Sequence, residues 1–141
     1  MFAVDFDSIN FLAVAVAGLA MFLLGGLWYS PLLFGRLWMD AHGHSEEDLE
    51  RLSQGMGKAY GLSLVSYWVI AGVFALLMQP LGVSSALGGA VLGVVLWLGF
   101  AATLGLTSLL FSERKAMTYV IDALYQLVGF LVIGAILGAW S

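Results

Sequence analysis

The stretch AMTYVIDALYQLVGFLVIGAILGAW, residues 116–140, decides the fold. It carries a single charged residue, Asp122, and is long enough for a helix to cross the roughly 30 Å of hydrocarbon in a bilayer. Three runs of the same kind precede it, from about Ser8 to Trp28, Ala59 to Met78 and Ser84 to Phe111. Backbone groups in lipid find no water to bond, so each run has to be helical. The expected architecture is an all-α integral membrane four-helix bundle, a single transmembrane domain over residues 1–141 with spans at about 8–28, 59–78, 84–111 and 116–140. A short interfacial or cytoplasmic helix is expected in the first loop. The third run is longer than a straight crossing needs and predicts a tilt or a kink. Ser8 is placed to cap the first helix, and Gln79-Pro80-Leu81-Gly82 to end the second in a short turn.

Composition agrees with this and closes other routes. Hydrophobic residues make up 62% of the chain and charged ones 10%, too few to coat a soluble surface. A net charge of −4 with only five basic residues leaves no basic patch for nucleic acid. Without cysteine there is neither a disulfide nor thiolate chemistry. The segment before the first span carries Asp5 and Asp7 and no basic residue, unlike the start of a signal peptide, so this helix is expected to be retained.

The basic residues predict orientation. Arg36, Arg51 and Lys58 fall between the first two spans, and Arg114 and Lys115 between the last two. By the positive-inside rule these loops are cytoplasmic and both termini lie outside. The first loop opens with an apolar stretch at 32–39 suited to the headgroup interface. It continues into Ser45-Glu46-Glu47-Asp48, which reads as the capping box of a short helix. His42 and His44 lack a third nitrogen ligand, so no metal or other cofactor is expected.

Asp122 stands roughly 10 Å along its helix from Lys115. A carboxylate there costs about 2.5–3.5 kcal/mol, which the surrounding Leu, Ile, Val and Phe offset. Thr118, Tyr119, Asp122, Tyr125, Gln126 and Gly129 share one face, opposite an apparent lipid face of Val120, Ile121, Leu124, Leu127, Val128 and Leu131. The second span offers Tyr60, Ser63, Ser66 and Tyr67, and the third Thr103, Thr107 and Ser108. All fall toward the basic end. They imply either a polar, cytoplasm-facing pocket for a small solute or ion, or a network of hydrogen bonds between helices. The candidate binding residues are Asp122, Gln126, Tyr119, Tyr125, Ser63, Ser66, Tyr67, Thr103 and Thr107.

Gly89 and Gly93, Gly134 and Gly138, and Gly57 and Gly61 have the small-xxx-small spacing that lets helices approach closely, within the chain or between copies. Residues 30–35 resemble 107–112, and Tyr60, Ser63, Ser66 and Tyr67 are spaced like Tyr119, Asp122, Tyr125 and Gln126. Two parallel-repeat helical hairpins would produce such echoes.

Leu24-Gly25-Gly26-Leu27-Trp28-Tyr29-Ser30-Pro31-Leu32-Leu33-Phe34-Gly35, with Trp38 beyond it, resembles the signature of a bacterial family of small membrane proteins, domain of unknown function 1761. Glu47-Asp48-Leu49, Lys58-Ala59-Tyr60, Trp97-Leu98-Gly99-Phe100 and residues 134–140 fit the same pattern. The resemblance implies a four-helix protein of the bacterial inner membrane with no assigned activity. It also implies asparagine where this chain has Asp122, a departure that favours hydrogen bonding over titration. The expected function is a homo-oligomer that binds or conducts a small solute or ion. A scaffold or accessory subunit of a larger membrane complex is the alternative, and no catalytic constellation supports an enzyme.

Overall fold

The computed structural model describes residues 5–30, 33, 35, 37, 56–112 and 115–140. The capping box at Ser45, the paired histidines and most of the interfacial stretch at 32–39 lie outside the described residues. Four helices are long and apolar enough to cross a membrane, and the chain is a multi-pass membrane protein. Helix α1 spans Phe11–Trp28 and α2 spans Met56–Leu81. Helix α3 spans Ala86–Leu110 and α4 spans Ala116–Ala139. The end carrying Asp5, the α2–α3 turn and Trp140 is called here the turn end. The opposite end, with Tyr29, Lys58, Phe111 and Lys115, is the basic end.

Local chemistry sets the boundaries and corrects two expectations. Asn10, not Ser8, caps α1, its side chain accepting from the Ala13 N–H at 3.1 Å. Ser8 sits in a short 3-10 turn, Phe6–Ser8, and donates its hydroxyl to Asp5 at 2.6 Å. That bond, together with the Asp7 N–H, holds the Asp5 carboxyl below the usual carboxylate range. Helix α2 runs through Pro80 to Leu81 instead of stopping before Gln79. A proline in the last turn removes only a bond near the end of the ladder. Gly82 then takes φ 67°, where a side chain would strain. The Val83 N–H reaches the Met78 carbonyl at 3.0 Å and the Gly82 N–H reaches Gln79 at 3.2 Å, so a Schellman cap closes α2.

The long third span resolves its excess length through a π-helical turn at Trp97–Ala102, between α-helical halves Ala86–Leu96 and Thr103–Leu110. A turn of this kind interrupts the regular ladder and is a known cause of bends.

Helices in lipid gain nothing from hiding apolar surface from one another, so shape decides the packing. Helix α4 is the most buried of the four and touches the other three. Helices α1 and α2 pack together against one side of it. Their shared core is Ala13, Ala17, Met21, Ala71, Phe74, Met78, Tyr125, Ile133 and Leu137, with the Phe74 ring edge-on to Phe130 at 5.5 Å. Helix α3 lies on another side of α4, in extended contact with no other helix. The two hairpins are therefore not packed equivalently. Ile121, expected toward lipid, is 3% exposed, because the central helix is covered on more than one face.

The α3–α4 seam is made of glycine. A Cβ on Gly89 would collide with the Gly134 carbonyl oxygen, and one on Gly134 with that of Gly89. Gly93 and Gly138 abut the Phe130 and Ser85 carbonyls in the same way. The two expected pairs thus pack against each other inside one chain. Gly57 and Gly61, with the same spacing, face open space.

Candidate functional site

The candidate residues divide into two groups. Near the basic end, Asp122 accepts a hydrogen bond from the Tyr29 hydroxyl at 2.5 Å. Tyr29 caps the C-terminus of α1, its N–H reaching the Gly25 carbonyl at 3.0 Å, and the end of that helix aims its ring at α4. The adjacent Trp28 donates its indole N–H to the Ile121 carbonyl at 3.2 Å. Two consecutive aromatics thus fasten α1 to two consecutive residues of α4. Behind them the Tyr125 hydroxyl donates to the Met21 carbonyl at 2.7 Å. The Tyr125 ring meets Tyr29 at 5.5 Å, Trp28 at 6.2 Å and Tyr67 at 6.3 Å. Tilted and edge-on contacts of this kind are favourable, and the four rings form a plug where α1, α2 and α4 converge.

Deeper in the bundle is a cavity of about 420 Å³, within the range of small-molecule sites. All four helices line it: Met21 from α1, Tyr67 and Ile70 from α2, Ala101, Leu104 and Gly105 from α3, and Tyr125, Gln126 and Phe130 from α4. Gln126 lies ten residues past Ala116, roughly 15 Å along a helix about 36 Å long, which is close to mid-depth. None of the lining residues is charged. The Gln126 amide has no hydrogen-bond partner among the described residues, although it is half-buried at a depth without bulk water. Leaving such a group unpaired costs about 1–3 kcal/mol.

The remaining candidates serve the helices themselves. Tyr119 donates its hydroxyl to the Ala102 carbonyl at 2.8 Å, satisfying a backbone group of the π turn. Trp97 returns the contact, its indole donating to the Ala123 carbonyl at 2.9 Å. Thr103 and Thr107 are exposed and bond back to their own helix, at Gly99 and Leu104. Ser66 is also exposed and bonds back to Leu62, while Ser63 is half-buried and does not line the cavity. Tyr60, part of the same stripe, is exposed, its ring edge-on to Phe22 at 6.1 Å. Sequence reasoning missed Tyr29, Trp28 and Trp97. All three stand in motifs quoted above, but an aromatic near a span end reads equally well as an interfacial anchor.

A second, smaller cavity of about 130 Å³ opens at the turn end beside Ser8, Asn10, Gln79 and Trp140. Its two side-chain amides are already engaged. Asn10 caps α1, and Gln79 exchanges two hydrogen bonds with the Asp5 backbone, at 2.7 and 2.9 Å.

Among curated proteins and solved structures, none matches the chain. The family model described as "Protein of unknown function (DUF1761)" matches residues 12–138, which takes in all four spans, the Trp28-Tyr29 clasp, the glycine seam and the cavity. The chain belongs to that family.

Proposed function

We propose that this protein is a binding protein of the bacterial inner membrane that holds a small uncharged solute in the mid-depth cavity. The observation that carries this is Gln126, whose amide has no hydrogen-bond partner among the described residues and which lines a space bordered by all four helices. An amide that donates and accepts is suited to a neutral polar group. An ion path would call for charged or carbonyl-lined walls, so binding is favoured over ion conduction. Asp122, engaged with Tyr29, belongs to the clasp between α1 and α4 and not to the cavity wall. The five basic residues favour a cytoplasmic basic end and non-cytoplasmic termini. The open Gly57-Gly61 face favours self-association through α2.

The binding claim is tested by purifying the chain in lipid discs and identifying small molecules in a solvent extract by mass spectrometry. A compound stoichiometric with the parent should be missing from Ala101→Phe, which fills the cavity from its α3 wall. Identical extracts would sink the proposal. Orientation is tested separately in intact cells. An impermeant thiol reagent should label Ser84→Cys and spare Ser112→Cys, and the opposite pattern would invert the topology.

A further inference from the structure

We propose that the occupant of the cavity is a neutral amphiphile bearing a carbonyl or hydroxyl group, and that it enters sideways from the bilayer between α2 and α3. This rests on the reading that the cavity holds a solute, and adds its chemistry and its route.

The route follows from which helices touch. Although a turn of a few residues joins them, α2 and α3 make no extended contact. Helix α2 lies on α1 and α4, whereas α3 is drawn onto α4 by the glycine seam and by the paired bonds of Trp97 and Tyr119. The cavity borders the resulting gap, lined by Tyr67 and Ile70 of α2, by Ala101, Leu104 and Gly105 of α3, and by residues of α4 that include Gln126 and Phe130. Ala101 presents only a methyl group on the α3 side, while the Cβ direction of Gly105 is taken by the Tyr119 ring. Leu104 lines the cavity and is nonetheless 68% exposed, so the rim of the gap is apolar and meets acyl chains. Toward the basic end, the rings of Trp28, Tyr29, Tyr67 and Tyr125 stand between α1, α2 and α4.

The chemistry follows from the lining. A charged ligand at mid-depth would find no counter-charge in the wall and would bear the full cost of a charge in hydrocarbon. A purely apolar one would leave the Gln126 amide unpaired. A neutral molecule with one carbonyl or hydroxyl satisfies that amide and places its chain against Ile70, Leu104 and Phe130.

The test uses the full chain in lipid discs with two photoreactive probes of equal chain length, a diazirine-bearing lauryl methyl ketone and the matching lauric acid. The ketone should crosslink to α2 and α3 near Tyr67 and Leu104, and the acid should not. Gln126→Leu should weaken ketone labelling roughly three- to tenfold, the worth of one hydrogen bond. Since the chain has no natural cysteine, Ile70→Cys with Leu104→Cys can be bridged by a bis-maleimide across the gap. Bridging before the ketone is added should abolish labelling. Bridging afterwards should trap bound ketone against exchange. Equal labelling by the acid, or labelling indifferent to Gln126→Leu, would overturn the ligand class. Loading that proceeds unchanged after bridging would overturn the lateral route while leaving the cavity reading intact. If neither probe labels and the Ala101→Phe extract matches the parent, the binding reading itself fails.

Discussion

Against the turn-end half of α3, Ala86–Leu96, helix α4 presents bare backbone, and against α1 it is held by aromatic side chains. On the α3 side, Gly134 and Gly138 bring main chain onto the main chain of Gly89 and Ser85. On the α1 side, Trp28, Tyr29 and Tyr125 reach across with long side chains that end in hydrogen bonds. Glycines occur on this side as well, but they face side chains. Gly129 lies against the Met21 thioether, and Gly25 beneath the Tyr125 hydroxyl. Contact between backbones fixes an interhelical distance and leaves no free volume. Contact through long side chains fixes an orientation and leaves spaces between them, and the cavity lies toward the basic end, beyond the glycine seam, where such side chains take over.

The contrast breaks most sharply at two glycines of the same helix. Gly134→Ala drives a Cβ into the Gly89 carbonyl, which cannot rotate away, so α3 has to move off α4. The expected loss is about 3 kcal/mol, the upper end for overpacking, seen as a large drop in melting temperature in detergent. Gly129→Ala meets the Met21 side chain at Cε, Cγ and Sδ, 2.7–2.9 Å away, and this buried but adaptable chain can turn where a carbonyl cannot. Its cost should be about 1–2 kcal/mol, below that of Gly134→Ala and partly offset by the better helix propensity of alanine. Gly57→Leu and Gly61→Leu should leave the melting temperature of the monomer unchanged and reduce the assembly size in lipid discs. If Gly129→Ala and Gly134→Ala prove equally damaging, the distinction between the two sides of α4 is wrong.

Four spans, the Gly89-Gly93 and Gly134-Gly138 seam and the strain in the long third run were all legible in the sequence. Each depends on length, spacing or composition within one segment. Which helix sits at the centre was not legible. Periodicity divides a helix into faces but does not say how many are covered, so Ile121 reads as lipid-facing although it is buried. Hydroxyls were misleading for a related reason. Thr103 and Thr107 look like lining residues, yet a threonine in a helix can satisfy itself on the preceding turn. Tyr29 and Trp28 showed the opposite ambiguity. An amphipathic ring at a span end suits the headgroup region, but its polar tip is equally suited to a carbonyl or carboxylate on a neighbouring helix. Gln126 is legible in the sequence as a polar residue on the right face, but its lack of a partner among the described residues is a property of the packed bundle alone.

Asp122 provides the smaller test, because the aromatic side of α4 is held by several bonds and loses them one at a time. Asp122→Leu removes the acceptor of the half-buried Tyr29 hydroxyl, an expected cost of about 1–3 kcal/mol. Trp28 still reaches the Ile121 carbonyl and Tyr125 still reaches Met21, so α1 should remain docked and the chain folded. Asp122→Asn keeps an acceptor oxygen at the same place and should cost no more than about 1 kcal/mol, since what is lost is only the charge on the bond. Tyr29→Phe should resemble Asp122→Leu, and combining Tyr29→Phe with Asp122→Leu should cost less than the sum of the two, because both changes remove the same hydrogen bond. Melting temperatures of the four variants in one detergent decide the matter. Additive losses, or an Asp122→Asn as damaging as Asp122→Leu, would mean that Asp122 acts through its charge and not as the acceptor in a clasp.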